Sequence, residues 1–170
     1  MTDDWKTRAV SVSDALAHVK SGAKVFVHGA AATPTALLDG LCDKPDLEGV
    51  TLYHLHTGGE ARFLAPEQAG RLFSISLFTG PPARKPIQEG RADFMPIFLS
   101  NIPGLFESQR VPLDVALLTL SPPDRHGMCT LGTSIDAALS AAMSAKRIVA
   151  EINEQMPRTH GNSCVPLSRV

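Results

Sequence analysis

The chain has 170 residues, 44% of them hydrophobic and 19% charged, with a formal net charge of −1 at pH 7. That composition suits one globular domain with a sizeable core. A near-neutral charge, and aromatic residues at only 5% with no basic stripe among them, exclude a nucleic-acid or acidic-lipid partner.

The start, Met1-Thr2-Asp3-Asp4-Trp5, is acidic and polar, without the basic flank and apolar run of a secretory signal. No apolar stretch is long enough to span a bilayer. Cys42, Cys129 and Cys164 are widely spaced, and an odd count without a framework points to a reducing compartment. A cytoplasmic protein with no membrane association is expected.

In chain order, Ser11 caps a first helix with Asp14 as its partner, and Val12, Leu16 and Val19 form its apolar stripe. Gly22 closes it. Val25-Phe26-Val27 reads as a buried strand. A turn of small residues follows, and Thr33 then caps a second helix with Pro34 at its first position. Val50 to His56 and the alternating Phe73-Ser74-Ile75-Ser76-Leu77-Phe78 read as further strands. A short helix is expected within 82–90. Residues 95–99 are extended, and 102–106 make at most a helical turn. Val115-Ala116-Leu117-Leu118-Thr119-Leu120 is the strongest strand signal. Ser134 is expected to cap a helix over 135–146, with Asp136 in its first turn and Lys146-Arg147 at its end, suiting the helix dipole. Ile148-Val149-Ala150 restarts a strand, and the tail over 156–170 reads as loop. Strand and helix alternate, and the strands are apolar. The fold expected is α/β, a mostly parallel sheet with helices on both faces.

The turn over 28–34 follows a strand and opens a helix, so its small residues let a ligand approach bare main-chain amides that can hold an oxyanion or phosphate. A tight turn that needs small residues for packing is the plainer alternative. The glycine spacing and the Lys-Ser/Thr ending of a P-loop are missing. His54 and His56 lie two apart, but without HExxH or CxxC a metal site is not expected. No G-x-S-x-G elbow is present. Cys129 lies in a turn near His126, where nothing local would activate a thiol. The loop over 121–127 leaves the strongest strand toward the same sheet edge as Gly29, so His126 is a candidate to touch substrate there, a plain structural turn being the alternative.

Several stretches together resemble the acetyl-CoA hydrolase/transferase family, including 4-hydroxybutyrate CoA-transferases. They are Val25-Phe-Val-His-Gly-Ala-Ala-Ala-Thr-Pro34, Tyr53-His-Leu-His-Thr57, Ser76-Leu-Phe-Thr-Gly80 and Glu89-Gly-Arg-Ala-Asp-Phe-Met-Pro-Ile-Phe-Leu-Ser100. Pro112-Leu-Asp-Val-Ala116, Ser121-Pro-Pro-Asp-Arg-His-Gly127 and Met156-Pro-Arg-Thr-His-Gly161 follow in family order. The sequence departs from the common family pattern at Gly58-Gly59, at Pro81-Pro82 and at Asn162.

The resemblance implies the NagB/RpiA/CoA-transferase-like fold and movement of CoA from an acyl-CoA, such as acetyl-CoA, to a small carboxylate; some members hydrolyse acetyl-CoA instead. It implies a nucleophilic glutamate in a C-terminal domain or subunit that this chain does not contain. Residues 1–170 are thus expected to form an N-terminal domain, with no catalytic residue and no activity alone. Gly29, Ala30, Ala31, Ala32 and Thr33 become the expected substrate-binding turn. His54, Gly80 and His126 are weaker candidates to line the cleft. No permanently bound cofactor is expected, acyl-CoA being substrate. The expected partners are the C-terminal CoA-transferase domain and further copies of the chain, as a homo-oligomer. A non-catalytic acyl-CoA-binding or partner-binding domain and a sugar-phosphate isomerase on the same fold class are the competing readings.

Overall fold

In the computed structural model, which describes residues 4–170, the apolar runs become six parallel strands: β1 (Lys24–Val27), β2 (Val50–His54), β3 (Leu72–Ser76), β4 (Ala92–Phe94), β5 (Val115–Leu120) and β7 (Arg147–Ile152). Their order is β4-β3-β2-β1-β5-β7. From β1 the chain steps outward on one side through β2, β3 and β4, then returns to β1's other edge with β5. The strand order therefore reverses between β1 and β5, where open α/β sheets place their ligands, beyond the carboxyl ends of the strands.

Both faces of the sheet are covered, as the continuously apolar strands require. On one face Val25, Val27, Leu52, Leu117 and Val149 pack under Leu37, Leu38 and Leu41 of α3 (Thr35–Cys42). On the other, Phe26, Ala116, Leu118 and Ile148 meet α5 (Ile102–Glu107) and α6 (Ala138–Ser144). Phe26 and Phe106 stack edge to face there, with ring centroids 5.5 Å apart. The other α-helices are α1 (Asp4–Arg8), α2 (Val12–Ala15) and α4 (Pro81–Gln88). Ser11 caps α2 as expected: its Oγ accepts the Asp14 amide at 3.1 Å and donates to the Asp14 carboxylate at 2.7 Å.

Three expectations are corrected. Thr33 does not cap α3; Pro34 holds the N-cap position without any side-chain cap, and helical residues begin at Thr35. The Thr33 hydroxyl is engaged inside the turn instead. The helix expected over 135–146 spans only Ala138–Ser144, because Asp136 sits at φ +26° and its carboxylate accepts the Ala137 and Ala138 amides. Lys146 consequently falls between α6 and β7, and Arg147 opens β7, rather than both lying on a helix end. The tail is not all loop: β8 (Cys164–Pro166) pairs antiparallel with β6 (Met128–Thr130) in a separate two-stranded sheet, with no clear apolar run to announce it.

Candidate functional site

Between β1 and α3 the chain makes a crest of small residues. Gly29 and Ala32 are buried, Ala30 and Thr33 are half-buried, and Ala31 is exposed. Ala30 takes the left-handed region at φ +51°, uncommon for a residue with a side chain and least costly for a small one. Two stitches hold the crest to the end of β2. The Ala30 amide donates to the His56 carbonyl at 2.8 Å. The Thr33 hydroxyl donates to the Ala30 carbonyl at 2.8 Å and accepts the Gly58 amide at 2.8 Å. The amides of Gly29 and Ala31 make no hydrogen bond to another described residue.

The helix start behind the crest is less open than the sequence suggested. Glu151, on β7, places Oε1 2.7 Å from the Leu37 amide and also receives the Ala36 amide. Two donors of the first turn of α3 thus serve the chain's own carboxylate. Burial raises the pKa of Glu151 more than these two bonds lower it.

His28, the last residue before the crest, is wholly buried. The Thr119 amide donates to its Nδ1 at 3.4 Å, so Nε2 carries the proton and donates to the Ser134 carbonyl. Burial lowers its pKa. The ring is a neutral strut between β1, β5 and the 131–137 loop.

His54 does not line the opening. It is 1% exposed, its Nδ1 meets the Leu55 carbonyl, and its Nε2 lies 2.6 Å from the Ser74 hydroxyl. Burial pushes its pKa down to about 4. Strand alternation explains this: His54 points into the core face shared by Val50 and Leu52. The reachable imidazole is His56, two residues on, where the strand has ended. His56 is exposed, and its ring stands edge to face with Phe78 at 5.8 Å. It sits between Gly29 and Gly80. A Cβ on Gly29 would stand 2.8 Å from the His56 carbonyl oxygen, and one on Gly80 would stand 3.0 Å from the His56 Cβ. The sequence carried this signal in the pairing of two glycines with a strand-end histidine, but only the fold brings them together.

Gly80 is buried at the N-cap of α4. His126 is exposed in the loop after β5, with its amide on the Asp124 carboxylate and its Nε2 accepting from Arg125 Nε at 3.0 Å. Arg158 clamps that loop through Asp124, at 2.8 Å, and the Met128 carbonyl, at 3.0 Å. Cys129 and Cys42 are buried, and burial pushes both thiols up to about 11, which leaves neither as a nucleophile. Among the described residues no group of three or more His, Cys, Asp or Glu could hold a metal ion. No described helix is long and apolar enough to cross a membrane.

The sequence profile of the acetyl-CoA hydrolase/transferase N-terminal domain matches residues 1–170. The chain belongs to the acetyl-CoA hydrolase/transferase family. It is 46% identical, over 155 residues and 89% of its length, to a succinyl-CoA:acetate/propanoyl-CoA:succinate CoA transferase of Fasciola hepatica, of which it covers 32%. Among solved structures it is similar to RipA from Yersinia pestis, with TM-score 0.88, 28% identity, and coverage of 95% of this chain and 40% of that one. It is also similar to a 4-hydroxybutyrate CoA-transferase from Porphyromonas gingivalis, with TM-score 0.77, 28% identity, and coverage of 98% and 38%. The chain therefore spans roughly a third to two fifths of the family proteins it matches.

Proposed function

We propose that this chain is the N-terminal half of a carboxylate CoA-transferase site that a C-terminal domain or subunit completes. The observation that carries the reading is the 29–33 crest. It lies where the strand order reverses, it exposes Ala31, and it leaves the Gly29 and Ala31 amides without partners in the chain. Such donors stabilise a tetrahedral oxyanion, which charges as a thioester carbonyl is attacked.

In the proposed reaction a glutamate of the C-terminal domain attacks the acyl-CoA carbonyl carbon. The C–S bond breaks, CoA leaves as thiolate, and an acyl-glutamyl anhydride forms. The thiolate then attacks the glutamyl carbonyl, releasing the first carboxylate and leaving a glutamyl-CoA thioester. An incoming carboxylate reverses both steps and leaves as the new acyl-CoA. Water in place of that acceptor gives hydrolysis. On this chain the crest and His56 border the reacting carbonyl, while Gly80 and His126 flank the opening. Phe78, Phe94, Phe98 and Leu99 are 53%, 44%, 79% and 54% exposed at or beyond the carboxyl ends of β3 and β4, a surface suited to being covered by the second domain.

The test mixes acetyl-CoA with a labelled carboxylate. The purified chain alone should exchange no CoA, and exchange should appear when a family C-terminal domain is added. Steady turnover by the lone chain would overturn the split site. Persistent inactivity of the mixture, with saturable acyl-CoA binding, would leave a non-catalytic binding domain.

A further inference from the structure

We propose that Glu151 is the positioning residue of the 29–33 crest. Along β7, Val149 and Glu151 point to the face covered by α3, and Ile148 to the other. Half-buried there, the carboxylate loses part of its hydration, and its raised pKa reflects that cost. What it does there is specific. The N-cap of α3 is Pro34, which offers no side-chain acceptor, so the first amides of the helix would be left without a partner. Glu151 supplies the missing acceptor from 114 positions away in the chain, at 2.7 Å from the Leu37 amide and bonded to that of Ala36 as well.

Beside Glu151 in register on β5 is Thr119, whose Oγ1 is buried without a partner and whose amide meets the His28 ring. A polar strip, Thr119 and Glu151, thus runs beneath the start of α3. The crest is joined to α3 through Thr33 and Pro34. Its direction is consequently referenced to β7, the edge strand, as well as to β2 through Ala30 and Thr33. Two consequences follow. Substrate oxygen cannot use the Ala36 and Leu37 amides, which leaves the crest amides to receive it. And a shift of Glu151 re-aims those amides without removing any group that touches substrate.

The inference rests on the proposed function for its catalytic meaning, but its structural half is measurable alone. In the isolated chain, Glu151→Met, which keeps the volume and removes the acceptor, should speed amide hydrogen exchange at Ala30 and Thr33, the hydrogen-bonded amides of the crest, about tenfold, the scale of a lost helix cap. Glu151→Gln, which keeps an acceptor oxygen, should stay within about threefold of the parent. With the C-terminal domain added, Glu151→Met should lower kcat about tenfold while KM changes little, counted per folded site. A merely structural role would reduce folded yield and leave kcat per site unchanged. Should Glu151→Met not fold, Glu151→Asp decides, because its shorter side chain withdraws the oxygen while keeping the charge, and Ala30 exchange must still rise. Unchanged exchange at Ala30 in the folded variant overturns the proposal. If the parent mixture exchanges no CoA, the functional reading falls while the exchange data still decide the role of Glu151.

Discussion

Gly29 backs onto the main chain of His56 so closely that a Cβ at Gly29 would stand 2.8 Å from the His56 carbonyl oxygen. That oxygen also accepts the Ala30 amide. Adding one methyl group would push β2's end away and break the stitch. Gly29→Ala should cost about 1–3 kcal/mol in urea unfolding, the range for overpacking. Gly104→Ala is the control: it lies in α5 with nothing within 4 Å of a new Cβ, and should be neutral or stabilising by about 0.5–1 kcal/mol. Equal effects of the two changes would refute this account of the crest.

Thr33 makes a second test because its hydroxyl serves two backbone groups. Thr33→Val keeps the shape but leaves the exposed Gly58 amide to solvent and the Ala30 carbonyl with only the Thr33 amide, at 3.3 Å, a loss of about 0.5–1.5 kcal/mol. Thr33→Ser should recover most of it. Thermal melts of the three proteins decide, and a valine variant as stable as the parent would mean the hydroxyl adds nothing to the stitch.

Stability should fall in mild acid. His54 stays neutral in the fold with its pKa pushed down to about 4, whereas the unfolded chain binds a proton near 6.5. The unfolded state gains protons first, so this contribution is full above about pH 6.5 and is lost as pH falls toward 4. His28, lowered by burial too, acts in the same direction. Glu151, raised by burial, acts oppositely and offsets part of the slope. Between pH 7 and 5 the His54 share is on the order of 2 kcal/mol. Urea midpoints at the two pH values measure it, and the slope should shrink in His54→Gln. A flat midpoint would contradict a neutral, buried His54.

Thiol chemistry gives a fourth prediction. Cys42 and Cys129 are buried with raised pKa values, and Cys164 is half-buried. In the folded chain at pH 8 a disulfide reagent should label no more than one thiol per molecule promptly, at Cys164. All three should react in denaturant. Rapid native labelling of Cys129 would reopen a thiol role beside His126.

The sheet was readable because its strands are runs such as Val115 to Leu120, in which every residue is buried and nothing competes with the apolar signal. The crest was readable because small residues between an apolar run and a helix start have few other uses. What stayed hidden depends on partners distant in sequence. His54 and His56 look alike in the chain, and only the point where β2 ends separates the core histidine from the exposed one. Nothing in the local sequence marks Glu151, which follows Ile148-Val149-Ala150, because its partners lie in the amides of another element. The helix after Ser134 was overextended because Ser134's carbonyl serves His28 and Asp136 breaks the first turn.

The central position of β1 also shapes how the chain must assemble. The Lys24 amide meets the Asp114 carboxylate at 2.9 Å, across 90 positions, and β1 pairs with β5 on that side. A nascent chain emerging from the ribosome can zip β1 to β2 early, but one flank of its innermost strand stays bare until Val115 to Leu120 has been synthesised. During that interval the apolar residues of β1 are a sticky edge, which makes this stretch of translation the moment when a chaperone, or an aggregate, has its best opportunity to capture the protein.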